Sequence, residues 1–241
     1  SMGGLWTDYG HMTNIPGLFA AGECDYMYHG ANRLGGNSLL SATYSGMVVG
    51  PSAVNFAKER GARKPLDSKV MQAAKEREEV VYGNQLRMDG KENPFQIQRE
   101  MGDWMTENVT IQRFNKKLQE TDDKLAELQE RWKHIGVSDS STQANQVVMF
   151  TRQLWNMLEL SRVITQGALR RNESRGGHFK PEFPERDDEN WLKTTKATWS
   201  PDGPQFSYDE VDTSLIQPRA RRYDVDNTKK TDAGQAAKGA K

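Results

Sequence analysis

Gly17-Leu18-Phe19-Ala20-Ala21-Gly22-Glu23 and, five residues further on, His29-Gly30-Ala31-Asn32-Arg33-Leu34-Gly35-Gly36-Asn37-Ser38-Leu39-Leu40 set the architecture of this chain. The short apolar run Leu18–Ala21 suits a buried strand. Asn14-Ile15-Pro16-Gly17 before it reads as a turn, and Gly22-Glu23 closes the strand. The second run is a glycine-rich loop that ends in Ser38-Leu39-Leu40-Ser41-Ala42, a helix start for which Asn37 or Ser38 is a natural N-cap. Pro51 is expected to kink or restart that helix, and Gly61 to end it.

Outward from this core the chain changes character. Residues from about 51 to 200 carry helical periodicity. Ile97, Met101 and Trp104 stand at i, i+4 and i+7. Ile111, Phe114, Leu118, Leu125, Leu128, Trp132 and Ile135 form one apolar stripe that Gly136 stops. A further helix from about Ala144 to Arg171 sets Val147, Phe150, Leu154, Leu158, Ser161 and Ala168 on one side. Three or four antiparallel helices are the expected packing. Turn signals at Ser200-Pro201-Asp202-Gly203 and short alternating stretches follow, then a polar end from Asp226 to Lys241 whose composition predicts disorder.

Composition narrows the function classes. The chain has 241 residues, 35% of them hydrophobic, and a mean hydropathy of -0.84. That polarity fits long surface-rich helices better than a barrel or sandwich. Lys plus Arg and Asp plus Glu both number 33, so no bulk charge argues for nucleic acid. Cys24 is the one cysteine, which excludes an internal disulfide and a cysteine-based zinc site, and no metal is expected. No run of about 18 apolar residues spans a bilayer. The opening Ser1-Met2-Gly3-Gly4-Leu5-Trp6 enters core-like sequence at once, so the chain reads as a fragment.

A strand end, a glycine loop and a helix N-terminus suit a polyhydroxylated, electron-accepting ligand. Glu23 is placed to accept hydrogen bonds from ribose-like or ribitol hydroxyls. Glycines at 30, 35 and 36 let backbone approach a flat ring. The N–H groups and positive dipole end of a helix starting at Ser38 face whatever lies ahead of it, such as the carbonyl edge of a reduced isoalloxazine. Arg33 in an apolar loop needs a partner, and its guanidinium fork suits a carboxylate. Against these stand plainer alternatives: a structural turn and capped helix, a structural salt bridge for Arg33, and a structural loop histidine in His29.

The two opening runs resemble the flavin-proximal motif of the flavoprotein subunit of succinate dehydrogenase and fumarate reductase. A second signature resembles the same family's helical domain: Arg170-Arg171-Asn172-Glu173-Ser174-Arg175-Gly176-Gly177-His178, then Pro184-Glu185-Arg186-Asp187-Asp188-Glu189-Asn190-Trp191. The resemblance covers about residues 1 to 223. It implies an α+β, mainly α fragment: the C-terminal segment of an FAD-binding domain over 1–60, a helical bundle domain over 61–199, and a short irregular or β tail over 200–241.

For matching positions the resemblance implies roles. Arg33 matches the arginine that binds a carboxylate of succinate or fumarate, and His29 belongs to the same substrate motif. Glu23 matches an FAD-binding glutamate. Ser38 and Leu39, with Gly36 and Asn37 before them, match residues that meet the flavin. No catalytic residue is expected within this chain, because the family's proton-delivering arginine lies upstream. Arg175, Glu173 and His178 read as an ion-pair network that fastens the helical domain to the flavin domain, with a solvated helix end as the alternative. The family implies FAD as cofactor, an iron–sulfur subunit as partner and, through it, a membrane anchor of cytochrome b type. Its members lie on the cytoplasmic, inner face of the bacterial membrane. L-aspartate oxidase and soluble fumarate reductases resemble the same family, and a non-enzymatic helical interaction module is the alternative from another class.

Overall fold

The computed structural model describes residues 3–61 and 67–219. The predicted disorder from Asp226 onward lies outside the described residues.

The first segment is loops braced against one long helix. Leu5 N–H donates to Cys24 O (2.7 Å) and Tyr26 N–H to Leu5 O (3.3 Å), which lays residues 4–6 along 24–26. Gly4 permits that approach: a Cβ there would stand 2.5 Å from Cys24 O. The turn at Asn14–Gly17 is present, with Leu18 N–H donating to Ile15 O (3.0 Å) and Gly17 at φ 87. The strand expected at Leu18–Ala21 is not a strand. It is an extended stretch paired only at the bridge Met12↔Phe19, flanked by Thr13 N–H to Leu18 O and Ala20 N–H to His11 O. A ladder needs a continuous neighbour, and the left-handed Gly22 (φ 80) turns the chain into a one-turn 3-10 helix, Gly22–Cys24, after four residues.

Helix α1 spans Asn37–Arg60. Neither Asn37 nor Ser38 is its N-cap, contrary to expectation. Gly36 takes that place at φ 81, no side chain caps the helix, and Asn37 and Ser38 lie inside the first turn. The Asn37 N–H closes a turn onto Leu34 O (3.2 Å), so the chain reaches the helix through a backbone conformation that favours glycine. Helix α1 runs through Pro51 as one element and ends at Gly61, whose N–H returns to Lys58 O.

The remaining helices are α2 (Ser68–Leu86), α3 (Pro94–Asn108), α4 (Asn115–Trp132), α5 (Gln146–Arg170) and the single turn α6 (Asp188–Trp191). Side chains of Asp67, Asn93, Asn145 and Asp187 cap α2, α3, α5 and α6 by accepting a backbone N–H. Helices α3, α4 and α5 pack on one another around Ile97, Met101, Leu125, Leu128, Ile135, Leu154 and Leu158. Two parts of the expected pattern shift. Ile111 is exposed and Phe114 precedes α4 at its N-cap position, while α4 stops at Trp132 because residues 134–137 hydrogen-bond along 88–92. Gly90 and Gly136 touch there, where a Cβ on Gly90 would overlap the His134 backbone. In α5 the buried side begins with Val148 and Thr151 rather than Val147 and Phe150, while Leu154, Leu158, Ser161 and Ala168 lie inside as expected.

Strands β1 (Lys193–Thr198) and β2 (Gln205–Glu210) form a two-stranded antiparallel sheet. The turn read at Ser200–Gly203 joins them, with Gly203 N–H on Ser200 O and Gly203 at φ 108. The described residues from Glu210 to Arg219 belong to a separate unit, in which Ser214 N–H donates to the Asp212 carboxylate.

Candidate functional site

The glycine loop folds back on the start of α1 and encloses a hollow of about 320 Å³. Five of the seven residues expected at a site line it: Glu23, His29, Arg33, Ser38 and Leu39. Gly36 and Asn37 are not in its lining; they form the bend and first turn behind it. Gly22, Asp25, Tyr26, Tyr28, Ser41 and Ala42 complete the wall together with Gly3. Sequence reading did not single out Asp25, Tyr28 or Ser41, since loop residues carry no periodic signal and only their closeness to the motif marks them.

Two hydroxyls of α1 brace part of this wall. Gly22 N–H donates to Ser45 Oγ (2.7 Å), and the Ser45 hydroxyl donates to Ala42 O (2.9 Å). Ser45 is fully buried on α1, so this pair sets where Glu23 stands. Ser41 Oγ donates to Ser38 O (3.0 Å) and lies 3.0 Å from His29 Nε2. The hydroxyl has one hydrogen, already given to Ser38 O, so His29 Nε2–H donates to it and Nδ1 is left as the other pole of the ring. Arg33 and Glu23 are both exposed. Among the described residues Arg33 has no ion pair or hydrogen bond, so the salt bridge weighed as its plainer role is not formed there.

The second signature sits against this loop. Gly177 N–H donates to Ala31 O (3.0 Å), between His29 and Arg33. Gly176, at φ 59, lies so close that a Cβ would stand 2.6 Å from the same oxygen. What holds these glycines is a buried charge network, not a solvated helix end. Glu173 is fully buried and accepts from Arg171 Nη1 (2.6 Å), Arg175 Nε (2.8 Å), Arg175 Nη2 (2.9 Å) and Asp187 N–H (3.0 Å). Burial pulls the Arg175 guanidinium down, and its bonds to Glu173 and Asp188 more than offset this, leaving it raised.

His178 is fixed in the neutral state. Its Nδ1 accepts from Arg113 Nη1 (2.6 Å) and its Nε2–H donates to Arg171 O (3.0 Å). Burial first, and then the cations Arg113, Lys180 and Arg171, push it down to about 4. Lys180 is fully buried with three acceptors for three N–H bonds, Asn115 Oδ1, Leu169 O and Asn172 Oδ1. Burial lowers it to about 8. Sequence reading missed Lys180 and Arg113, which stand outside any helical stripe.

The residues at the hollow fit part of a flavin nucleotide. A cradle without side chains lies at Gly22, where a Cβ would meet nothing within 4 Å, and at the uncapped N-terminus of α1. Free N–H groups at a helix start favour an electron-rich oxygen, and Glu23 offers a carboxylate to hydroxyl donors.

Comparison with known proteins places the chain among flavoproteins. Residues 98–223 match the model of the fumarate reductase flavoprotein C-terminal region, and residues 1–39 match that of an FAD binding domain. The chain is 55% identical over 226 residues to the succinate dehydrogenase flavoprotein subunit of Bacillus subtilis, covering 92% of this chain and 39% of that protein. It is 39% identical to the fumarate reductase flavoprotein subunit of Haemophilus influenzae, covering 100% of this chain and 39% of that protein. A solved quinol fumarate reductase of E. coli superposes with a TM-score of 0.84 at 37% identity, over 91% of this chain and 38% of that one. The chain thus spans about two-fifths of the length of these relatives.

Proposed function

The chain belongs to the family of succinate dehydrogenase and fumarate reductase flavoprotein subunits, and from that premise we propose that the protein containing it interconverts succinate and fumarate with FAD. The observation that carries this reading is the gathering of Glu23, His29, Arg33, Ser38 and Leu39 around one hollow at the start of α1. FAD, when bound, would supply the acceptor for the hydride, which carries both electrons that leave succinate.

The chain's own residues bind and orient. Arg33, exposed at the mouth of the hollow, takes one carboxylate of the substrate in its guanidinium fork. His29, anchored through Nε2 on Ser41, stands beside the same ligand. Glu23 accepts hydroxyl groups of the cofactor. Gly36 and Asn37 shape the helix start from which the backbone N–H groups of Ser38 and Leu39 face the ring. Exposed Leu39, Leu40, Tyr44 and Met47 on the same helix present an apolar surface on that side.

We take residues 1–60 as part of the FAD-binding domain, 61–199 as the helical domain and 200–241 as its tail. Electrons pass to an iron–sulfur subunit and then to a cytochrome b-type anchor, which places the protein on the inner face of a bacterial membrane, between the tricarboxylic acid cycle and electron transport. No helix among the described residues is long and apolar enough to cross a membrane.

The test is the substrate profile of the full-length subunit loaded with FAD and given an artificial electron acceptor. Turnover of succinate, blocked by malonate, is the expected result. Turnover of aspartate instead moves the protein to L-aspartate oxidase chemistry, and turnover of neither overturns the reading.

A further inference from the structure

Behind the wall of the hollow lies a constellation that the reading above leaves unused. His11 is fully buried with its backbone at φ 67, in the left-handed region. That conformation costs a non-glycine residue on the order of 1 kcal/mol and lasts only where the surroundings hold it. Its Nδ1 lies 3.0 Å from the Ala20 carbonyl, which can only accept, so Nδ1 carries the hydrogen. In the neutral ring Nε2 is then the acceptor, and it takes the Tyr28 hydroxyl at 2.5 Å. The two rings stack with centroids 5.6 Å apart.

Asp25 stands on the other side. Its side chain is 1% exposed; Oδ1 accepts the Met27 N–H, and Oδ2 has no hydrogen-bond partner among the described residues. That oxygen lies 3.6 Å from His11 Nδ1. Asp25 and Tyr28 both line the hollow. A buried carboxylate oxygen without a donor, beside an imidazole whose far nitrogen holds a hydroxyl at the hollow, is poised to receive charge.

We propose that Asp25, His11 and Tyr28 form a proton-linked donor switch, in which protonation of His11 releases the Tyr28 hydroxyl hydrogen to an oxygen acceptor of the ligand in the hollow. While His11 is neutral, Nε2 consumes that hydrogen. When Nε2 gains a proton it becomes the donor, the Tyr28 oxygen becomes its acceptor, and the hydroxyl hydrogen turns outward. Asp25 Oδ2 balances the imidazolium. The other titratable groups facing the trio are Tyr44 of α1, edge-on to Tyr28 at 5.9 Å, and Tyr26, which faces Asp25 together with Asp209 and Lys196. Burial, and then Asp25 and Tyr44, raise the Tyr28 phenol, which keeps it a hydroxyl throughout. The acceptor is a carboxylate oxygen of a dicarboxylate or a carbonyl or hydroxyl oxygen of the flavin nucleotide. The identity of those two ligands rests on the proposed function; the switch itself rests on the trio.

The test uses the full-length FAD-loaded subunit, with malonate affinity read from the flavin spectrum and FAD retention read by fluorescence, between about pH 5.5 and pH 8.5. Wild type is expected to gain about tenfold in affinity toward acid for one of the two ligands, the worth of one hydrogen bond to a charged or strongly polar oxygen. Tyr28→Phe is expected to lose that gain, its affinity at the two ends of the pH range differing by less than about twofold. His11→Asn, chosen because asparagine tolerates a positive φ, is expected to behave the same way. A gain in malonate affinity identifies the substrate carboxylate as the acceptor, and a gain in FAD retention identifies the cofactor. An acid gain of equal size in wild type and Tyr28→Phe, or no gain for either ligand in wild type, overturns the proposal. Succinate turnover of wild type in the same samples reports separately on the proposed function, and the FAD arm reads the switch even where that turnover is absent.

Discussion

In the glycine loop the charged side chains face outward, whereas in the helical region they are folded onto one another. Arg33 and Glu23 stand exposed at the mouth of a hollow, with no ion pair to Arg33 among the described residues. Arg171, Arg175 and Glu173 are buried or nearly so, and every oxygen of Glu173 is engaged. The residue types are the same and the uses are opposite. A charge satisfied inside the fold holds the fold; a charge left facing a cavity is held in place by its backbone and stays available to a ligand. Ala31 is where the two regions meet, because Gly176 and Gly177 of the buried network support the loop that carries Arg33.

Paired substitutions break or sharpen this contrast, and the largest effect is expected at Arg33. In the full-length enzyme Arg33→Ala should lower succinate turnover by about 10²–10³-fold, the loss of one charge-assisted substrate contact. Its urea midpoint should move by no more than the equivalent of about 0.5 kcal/mol, as for an exposed residue. Glu173→Ala should do the reverse. It leaves two guanidinium groups without their carboxylate in a buried site, which costs about 3–5 kcal/mol of stability. A Glu173→Ala protein as stable as wild type would show that the network is replaceable and that the division between the regions is wrong.

A smaller effect separates the two regions by pH. His178 is held down to about 4 by burial and by the cations around it, while the unfolded chain takes up the proton near 6.5. The unfolded state therefore binds the extra proton first, so stability falls as pH drops from about 6.5 to about 4 and levels off below. The full loss is on the order of 3 kcal/mol. His178→Gln can still accept from Arg113 and donate to Arg171 O, so it should flatten that limb of a urea-midpoint profile. The Arg131 hydrogen bonds hold the Glu92 and Glu100 carboxyls below their usual range. Their contribution is present above the unfolded carboxylate value and is lost from about pH 5 downward, so the histidine limb is read cleanly between pH 6.5 and about 5. A variant that keeps the wild-type slope between pH 6.5 and about pH 5 would remove His178 from the account.

Most of the helical region was legible in the sequence because a helix declares its buried side by spacing. Ile97 and Met101 in α3, Leu118, Leu125 and Leu128 in α4, and Leu154 and Leu158 in α5 lie inside as the periodicity predicts. The errors fall at the ends of the stripes. The first turn of α5 buries Val148 and Thr151 instead of Val147 and Phe150, and the pairing of 134–137 with 88–92 cut α4 short. The hollow was legible through the motif that Glu23, His29, Arg33, Ser38 and Leu39 share, since those residues converge on one place. Its back wall was not. His11 and Asp25 are buried polar residues in loops, and nothing in the linear order of such residues says that they meet. Lys180 escaped for the same reason: its partners come from two distant places in the chain, Asn115 at the start of α4 and Leu169 and Asn172 around the end of α5.

The smallest effect concerns how the two regions begin a helix. Helix α5 starts under Asn145, whose Oδ1 accepts Val148 N–H while its Nδ2 donates to the Asp139 and Ser141 carbonyls. Helix α1 starts at Gly36 with no side-chain cap. Asn145→Ala should therefore cost about 1–2 kcal/mol, at the upper end for a cap because three hydrogen bonds are lost together. Ser38→Ala removes a side chain that caps nothing and should cost within about 0.5 kcal/mol. If the start of α1 is left open for the cofactor, loss of FAD from the full-length protein should be unchanged in Asn145→Ala under conditions where it stays folded. It should rise only slightly in Ser38→Ala, because the backbone N–H groups, rather than the hydroxyl, face the ligand. A large loss of FAD in Ser38→Ala would assign the contact to the hydroxyl and make that side chain, not the bare helix end, the feature that sets the first region apart.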